Sequence, residues 1–200
     1  MRTPVRQIRS RTMLLPSDNI ETDQIIPARF LTTISSEGFG ARLFADWSYD
    51  SEGRPRAEFA LNRPEAEGAR VLLAGKNFGC GSSREHAVWA LRDHGFQAVI
   101  STSFADIFRG NAVKNGLVPV QVDASTHADM LATPPQDVVI DVEQATLTLA
   151  DGRAVPFPLE PFARYCLVQG VDELEFLLSQ ERNIDAHERA LEPSPWRLSR

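Results

Sequence analysis

Residues 75–86 of the chain read GKNFGCGSSREH. The apolar run VLLA precedes them at 71–74, and the helical pattern AVWAL follows at 87–91. The stretch is therefore predicted to form the end of a strand, a glycine-rich turn and the start of a helix. Glycine allows positive φ and close backbone approach to a ligand, and a helix N-terminus favours anions. The two hydroxyls and the guanidinium at 82–84 add donors, so the turn is predicted to hold a small carboxylate.

Helix capping is the structural alternative for the same turn. Ser82 and Glu85 have the spacing of a capping box, in which the two side chains satisfy free backbone N–H groups. However, three glycines in seven residues cost conformational entropy that a plain cap does not require. An arginine in the first helical turn is also unfavourable beside the positive end of the helix dipole. These features favour a binding role over capping alone.

Two nucleotide-binding motifs share features with this turn but differ from it in spacing. A phosphate loop requires Gly-x-x-x-x-Gly-Lys-Ser/Thr, whereas position 80 is cysteine and the only nearby lysine is Lys76. A dinucleotide fingerprint requires Gly or Ala where Arg84 stands. It also requires an acidic residue at the end of the next strand, which ends instead at Ser101. A nucleotide-binding module is therefore kept as a rival function of a different class.

Strands and helices alternate through the middle of the chain. Elements of these lengths in this order imply parallel strands joined by right-handed crossovers. The apolar face of the second helix is predicted to comprise Phe104, Ile107 and Phe108. The predicted elements are strand 70–74, helix 83–94, strand 97–101, helix 104–114 and strand 117–122.

The two ends of the chain complete the predicted α/β fold, with a mixed sheet. Residues 1–13 are interpreted as a frayed end that leads into the first strand. A helical part is expected from about residue 160, and 191–200 is predicted to be a disordered tail. Two hundred residues suit one domain, which is placed at 1–190. Further strands, two of them joined by a hairpin turn at Asp151-Gly152, are predicted at 137–142, 145–149 and 154–157.

Composition places the chain among ordinary globular proteins. Its hydrophobic fraction is 42% and its charged fraction 24%, and no apolar run approaches the length of a membrane span. The net charge of −6 argues against general nucleic-acid binding, which needs basic patches. An acidic chain that binds an acidic substrate must concentrate positive charge locally, which residues 82–84 are expected to do. The two cysteines, Cys80 and Cys166, fit a reducing cytoplasm.

Several segments, in the right order along the chain, carry a family resemblance. They are DNIETDQIIP at 18–27, GFG at 38–40, NFGCGSSREHAVWAL at 77–91, SFADIF at 103–108 and GLVPV at 116–120. Together they resemble the small subunits of 3-isopropylmalate dehydratase, the leucine-pathway isomerase related to aconitase. The resemblance runs from about residue 12 to residue 188. It departs at Val88, where the family usually has proline, and at 112–114, where AVK replaces a more polar stretch.

The resemblance implies a fold and a reaction. The fold is the swivelling β/β/α three-layer domain, with a mixed, partly parallel sheet, that covers the cluster site in aconitase. The reaction removes water from 2-isopropylmalate and adds it back at the neighbouring carbon. A 4Fe–4S cluster in a separate large subunit takes the hydroxyl. No metal or cofactor is expected on this chain, because a cluster with an open iron needs three thiolates and the chain has two cysteines.

The resemblance also implies roles at the turn. Ser82 is the base that removes a proton from carbon, as an alkoxide whose charge its neighbours must stabilise. Ser83 and Arg84 hold a substrate carboxylate. Cys80 is interpreted as a small, soft residue that lines the turn rather than as a cluster ligand. His86, one turn into the helix, is either functional or a packing residue.

Two upstream segments are predicted to support the site. Thr22 and Asp23 either take part in function or form an Asx turn or helix cap. Arg29, Phe30 and Leu31 resemble the segment that selects substrate side chains in this family, and the last two suit an isopropyl group. The alternative for the arginine is a plain surface charge.

The predicted function is that of a small hydro-lyase subunit that forms a heterodimer and acts only with its large subunit on a small dicarboxylate. The rival substrates within the same fold are those of homoaconitate-type and methylmalate-type hydro-lyases. A tricarboxylate should want an additional cation at residues 27–33, where only Arg29 is present. Neither nucleic acid nor a membrane is an expected partner.

Overall fold

The computed structural model describes residues 3–31, 38–133 and 135–190 of the chain. Within these ranges, no helix is both long and apolar enough to cross a bilayer. The tail predicted at 191–200 lies outside the described residues.

The strands are β1 (Gln7–Leu15), β2 (Val71–Ala74), β3 (Ala98–Ser101), β4 (Val118–Gln121), β5 (Asp137–Asp141), β6 (Thr146–Thr148) and β7 (Ala154–Pro156). The helices are α1 (Thr22–Ile25), α2 (Ala45–Ser48), α3 (Glu85–His94), α4 (Asp106–Lys114), α5 (Ala124–Ala132), α6 (Pro161–Gln169), α7 (Glu173–Ser179) and α8 (Glu181–Ala190). Short 3₁₀ turns occur at Ala28–Phe30, Gly40–Arg42, Ala60–Asn62 and Pro64–Ala66.

The sheet joins a parallel half to an antiparallel half through β1. Its strand order is β4-β3-β2-β1-β5-β6-β7. The strands β1 to β4 pair in parallel, whereas β5, β6 and β7 run antiparallel to their neighbours. The mixed sheet predicted from the sequence, with parallel crossovers in the middle of the chain, is confirmed.

The first strand corrects the prediction of a frayed N-terminal end. The nine residues of β1 form the central strand, which is bonded to β2 on one side and to β5 on the other. Ile8 and Thr12 are buried, whereas Arg9 and Arg11, which lie at alternating positions of the strand, are exposed. The arginines made the segment look like a polar end, but in a strand their side chains project away from the buried positions.

Both crossover helices begin two residues later than the sequence predicts. α3 starts at Glu85 and α4 at Asp106. The preceding residues, Arg84 and Ala105, have extended backbones with ψ of 104° and 138°. The chain has to cross from the end of a strand to the helix layer at these points, so it stays extended for longer than helix propensity alone suggests. Ser83 and Arg84 therefore lie in the turn and not in the helix.

Two apolar clusters lie on the two faces of the sheet. One packs α3 and α4 with buried side chains such as Phe39, Phe44 and Phe78. The other joins the two halves of the sheet to α5 and α6, and includes Ile140 and Leu167. Burying one such side chain stabilises the fold by about 1.5–3 kcal/mol. The clusters therefore fix the strand ends from which the functional loops leave.

One position predicted for the core is exposed. Phe104 and Phe108 are 6% and 2% exposed, but Ile107 is 57% exposed. α4 presents Phe108 and Ala112 to the core. Adjacent helix residues point about 100° apart, so Ile107 is directed away from the packed face. The late start of α4 places this exposed isoleucine in the first helical turn.

The loops that follow β1, β2 and β3 meet at one edge of the sheet. The amide of Gly79 donates to the carbonyl of Ile20 at 2.8 Å, and the amide of Phe78 donates to the carbonyl of Ser103 at 3.0 Å. These contacts join all three loops at the carboxyl ends of the parallel strands. Ligands of open α/β sheets bind outside such carboxyl ends, so this edge is the expected place for a site.

Candidate active site

The glycine-rich turn at 75–84 packs so closely that two of its positions accept only glycine. Gly79 has a φ of +76°, and a β-carbon built there would lie 2.2 Å from Cγ of Phe108. A β-carbon at Gly75 would lie 2.3 Å from the carbonyl oxygen of Ser17. These glycines therefore let the turn pack directly against α4 and against the loop after β1. Their role is close protein packing, which places the serines that follow.

Replacing Gly79 with alanine is expected to lower the free energy of unfolding by about 1–3 kcal/mol through overlap with Phe108. Backbone strain at positive φ adds about 1–2 kcal/mol. Gly152→Ala is the matched control, because Gly152 has a φ of +85° and nothing lies within 4 Å of its built β-carbon. Urea unfolding measures both variants. Equal losses would show that Phe108 yields without cost and that close packing does not hold the turn.

Ser82 and Ser83 lie on the exposed rim of the turn. The buried Thr22 donates its hydroxyl to the carbonyl of Ser82 at 2.8 Å, and its amide donates to the carbonyl of Cys80 at 2.9 Å. Neither serine hydroxyl has a hydrogen-bond partner among the described residues. The backbone of Ser82 is therefore held in place while its hydroxyl is available to a ligand.

The capping alternative does not hold at this turn. The N-cap residue of α3 is Arg84, and no side chain at that position caps the helix. The Glu85 carboxylate accepts a hydrogen bond from the side-chain amide of Asn115 at 2.7 Å. The reciprocal contacts of a capping box between Ser82 and Glu85 are thus not formed, because the helix starts too late for Ser82 to be its N-cap.

Arg84 and Asp23 form an ion pair at the turn. The Arg84 side chain is only 16% exposed, and that of Asp23 is 49% exposed. The N-cap of α1 is Glu21, so neither Thr22 nor Asp23 serves as its cap. The start of α1 instead supports the turn twice, at the backbone of Ser82 and at the guanidinium of Arg84.

A small pocket of about 260 Å³, called the turn pocket below, opens beside Ser82. It lies between the glycine-rich turn and the first turn of α4, so Asp106 and Ile107 belong to the site. Sequence reasoning placed neither of them there. The sequence feature that could have identified them is the position of residues 103–108 just after β3. Neighbouring parallel strands end at the same edge of the sheet, so the residues that follow β2 and β3 come together there. The lining residues are Thr22, Gly79, Gly81, Ser82, Arg84, Ala105, Asp106, Ile107 and Phe108.

The expected concentration of positive charge is not found at the turn pocket. Arg84 is the one cation among the lining residues that the structure describes, and it is already paired with Asp23. Asp106 adds a carboxylate to the same lining. A dicarboxylate would therefore meet a single, shared guanidinium. The expectation was wrong because the sequence around Arg84 does not reveal which acidic residues fold against it.

Cys80 and His86 flank the turn pocket without lining it. Burial raises the pKa of the Cys80 thiol, and the nearby Glu21 carboxylate raises it further. The thiol is therefore protonated at neutral pH. The His86 ring packs against Phe39 and Trp89, with ring centroids 5.4 and 4.6 Å away. These contacts favour the packing interpretation of His86.

The segment predicted to select the substrate side chain lies outside the turn pocket. Arg29 forms an ion pair with Asp46, and both line a separate pocket of about 690 Å³ together with Phe30. The Phe30 ring is covered by two guanidinium groups, 4.5 Å from Arg29 and 5.0 Å from Arg42. Leu31 packs against the core. Neither apolar residue of the segment is an open wall beside Ser82.

The described residues do not fit an iron–sulfur cluster. No group of three or more His, Cys, Asp or Glu side chains among them is placed to hold a metal ion. The two cysteines are not joined by a disulfide: Cys80 is half-buried in the turn, and Cys166 is buried in α6. Such clusters are held by several cysteine thiolates.

Known proteins share the sequence and the fold of this chain. The aconitase C-terminal domain family matches residues 4–125. A 3-isopropylmalate dehydratase small subunit from Anaeromyxobacter dehalogenans is 60% identical over 185 residues, or 92% of this chain and 97% of that protein. A protein of the same name from Roseiflexus castenholzii is 52% identical over 95% of each chain. The crystal structure of 3-isopropylmalate dehydratase from Methanocaldococcus jannaschii has a TM-score of 0.65 and 26% identity, and the match covers 92% of this chain and 99% of that one.

These similarities extend over nearly the whole length of the chain and of its relatives. They confirm the family resemblance and the fold class predicted from the sequence. The segments around the turn and the topology of the sheet agree with them. The chain belongs to the family of 3-isopropylmalate dehydratase small subunits and carries the aconitase C-terminal domain.

Proposed function

We propose that this chain is the small subunit of a hydro-lyase that interconverts 2-isopropylmalate and 3-isopropylmalate in leucine biosynthesis. The observation that carries the proposal is the turn pocket, in which the Ser82 hydroxyl and the Arg84 guanidinium lie together at the carboxyl edge of the parallel strands. Family membership supplies the reaction. The pocket offers the groups that this reaction needs, namely one that can accept a proton and one that can bind a carboxylate.

Ser82 is the base in this proposal. A serine hydroxyl is a very weak acid, so its alkoxide must be stabilised by nearby donors and cations. Arg84 is the cation in the same pocket. The hydrogen bond from Thr22 to the Ser82 carbonyl orders the backbone before substrate binds, which lowers the cost of positioning the hydroxyl. Covering Ser82, which is exposed in this chain, would exclude water from the pocket and strengthen the interactions that stabilise its alkoxide.

Arg84 and Ser83 bind one carboxylate of the substrate. A guanidinium can donate two parallel hydrogen bonds to a carboxylate, and Asp23 holds the Arg84 group in position. With Thr22 and Asp23 in supporting roles, the site uses both residues of α1 that reach the turn. Arg29, Phe30 and Leu31 take part only if the large subunit brings substrate to them.

The turn pocket is incomplete by itself, which supports a second subunit. The second carboxylate of the substrate has no further cation among the described lining residues. We assign that role to the large subunit, which forms a heterodimer with this chain. The 4Fe–4S cluster implied by the family is assigned to the large subunit as well, because the described residues do not fit it. The assembled enzyme is placed in the cytoplasm.

Coexpression with candidate large subunits, followed by anaerobic purification and assay, tests the proposed function. We expect the two subunits to coelute and to convert 3-isopropylmalate to 2-isopropylmalate. NMR of the reaction mixture measures this conversion. Homoaconitate and methylmalate are supplied in parallel. A complex that turns over one of these and not isopropylmalate would contradict the assigned substrate.

A titration of the chain with NAD and with ATP tests the rival class. We expect no saturable heat of binding for either nucleotide in calorimetry, because the turn lacks the spacing of both nucleotide motifs. Stoichiometric binding of either compound, with loss of binding on Ser82→Ala, would favour a nucleotide-binding module.

A further inference from the structure

Ile107 is a large apolar side chain that the core does not use. It is 57% exposed in the first turn of α4, and it lines the turn pocket with Ser82 and Arg84. It stands apart from the other exposed large apolar side chains of the described residues, all of which belong to α6, α7 and α8. Those others are Phe162, Tyr165, Leu174, Leu177, Leu178 and Ile184.

Phe108, the next residue along the chain, fixes the position of Ile107. The Phe108 ring is 2% exposed and lies 5.1 Å from the Phe78 ring, measured between centroids. It also packs directly against Gly79, which leaves no room for a β-carbon there. Because Phe108 is anchored in this way, the first turn of α4 has a fixed place beside the glycine-rich turn. Ile107 is also β-branched, which restricts its χ1 angle, so it forms a stiff wall.

The lining of the turn pocket combines polar groups with this one exposed apolar wall. Arg84 and Ser82 offer contacts to a carboxylate and to a proton, whereas Ile107 offers only apolar surface. Phe30, which the sequence suggested for an alkyl group, is covered by guanidinium groups in a different pocket. A substrate that carries a carboxylate and a branched alkyl group on neighbouring carbons matches this combination of contacts.

We propose that Ile107 contacts the alkyl group of the substrate and sets the size preference for that group. The inference rests on the proposed function of the chain. Apolar contact favours a branched alkyl group over a methyl group, because more of its surface leaves water against the isoleucine. Ile107 is therefore a specificity-determining residue, distinct from the groups that bind the carboxylate and remove the proton.

The test uses the anaerobic complex with its large subunit and two inert analogues, isopropylsuccinate and methylsuccinate, as competitive inhibitors. One missing methylene in an apolar pocket changes specificity by about 10- to 200-fold, and an open wall belongs at the low end of that range. For Ile107→Ala we expect the inhibition constant of isopropylsuccinate to rise about tenfold, with less than about a twofold change for methylsuccinate. Ile107→Val should give an intermediate value.

Ile184→Ala is the matched control, because Ile184 is an exposed isoleucine on α8. This substitution should change neither inhibition constant.

The outcomes separate this inference from the proposed function. An active wild-type complex whose ratio of the two inhibition constants is unchanged by Ile107→Ala would overturn the inference alone. Weaker binding of the large subunit by Ile107→Ala, with an unchanged ratio, would show an interface residue and would also overturn it. A wild-type complex that does not turn over 3-isopropylmalate would contradict the proposed function itself.

Discussion

Replacing Ser82 with alanine is expected to lower kcat of the assembled enzyme by about 10²- to 10⁴-fold, the usual contribution of a positioned general base. The Ser82 hydroxyl has no hydrogen-bond partner in the described part of the chain, so its loss should leave the fold and the subunit association almost unchanged. Anaerobic turnover of 3-isopropylmalate by the reconstituted complex measures the first effect. Thermal melting of the variant chain measures the second.

Ser83→Ala is the informative comparison for Ser82→Ala. Ser83 lies on the same exposed rim, and its proposed role is carboxylate binding. Its loss should raise KM more than it lowers kcat, because binding of the carboxylate acts on the ground state and the transition state alike. If Ser82→Ala keeps more than about a tenth of the wild-type kcat, the proton is removed by another group.

Replacing Arg84 with lysine is expected to lower kcat/KM by at least about tenfold, although the charge is kept. A charged hydrogen bond is worth about 1.5–3 kcal/mol, or about 10- to 150-fold. Lysine is a point charge on a flexible stem and cannot present the two parallel donors of a guanidinium. Steady-state kinetics of the complex, compared with Arg84→Ala, show how much of the effect belongs to the charge.

Two controls make the Arg84 result specific to the site. Arg153→Lys changes another ion-paired arginine. Arg153 directly precedes β7 and contacts Asp129, so this substitution should leave kcat/KM unchanged. Asp23→Asn combined with Arg84→Ala shows whether the loss comes from an unpaired Asp23 carboxylate that repels the substrate. Nearly full kcat/KM in Arg84→Lys would show that Arg84 does not need two parallel hydrogen bonds to the substrate carboxylate. Unfolding of both Arg84 variants would show that the role of Arg84 is to stabilise the fold.

The strands and helices that position the site were largely predictable from the sequence. The apolar run before the turn and the helical pattern after it are local signals, and they identified the joint that holds Ser82 and Arg84. The central position of β1 was missed because the exposed Arg9 and Arg11 made the segment look polar, although Ile8 and Thr12 on the opposite face of the strand are buried. The register of a strand in a sheet depends on partners far along the chain, which local pattern does not contain.

The composition of the turn pocket was less predictable than its location. The pairing of Arg84 with Asp23 joins residues 61 positions apart, and it changed the expected charge of the site. The sequence placed Ile107 on the apolar face of the second helix. In the structure the late start of α4 and the anchoring of Phe108 leave Ile107 exposed. Such details follow from tertiary packing of the loops, in which helix propensity is only one contribution.

The most direct measurement titrates this chain into a fixed amount of the cluster-bearing large subunit under anaerobic conditions and follows dehydration of 3-isopropylmalate. We expect no turnover by either subunit alone and a rate that rises with added chain to a plateau. The Ser82→Ala chain should assemble without restoring the rate, and should inhibit the wild-type chain by competing for the large subunit. Turnover by one subunit alone, or a full rate with the Ser82→Ala chain, would contradict the account.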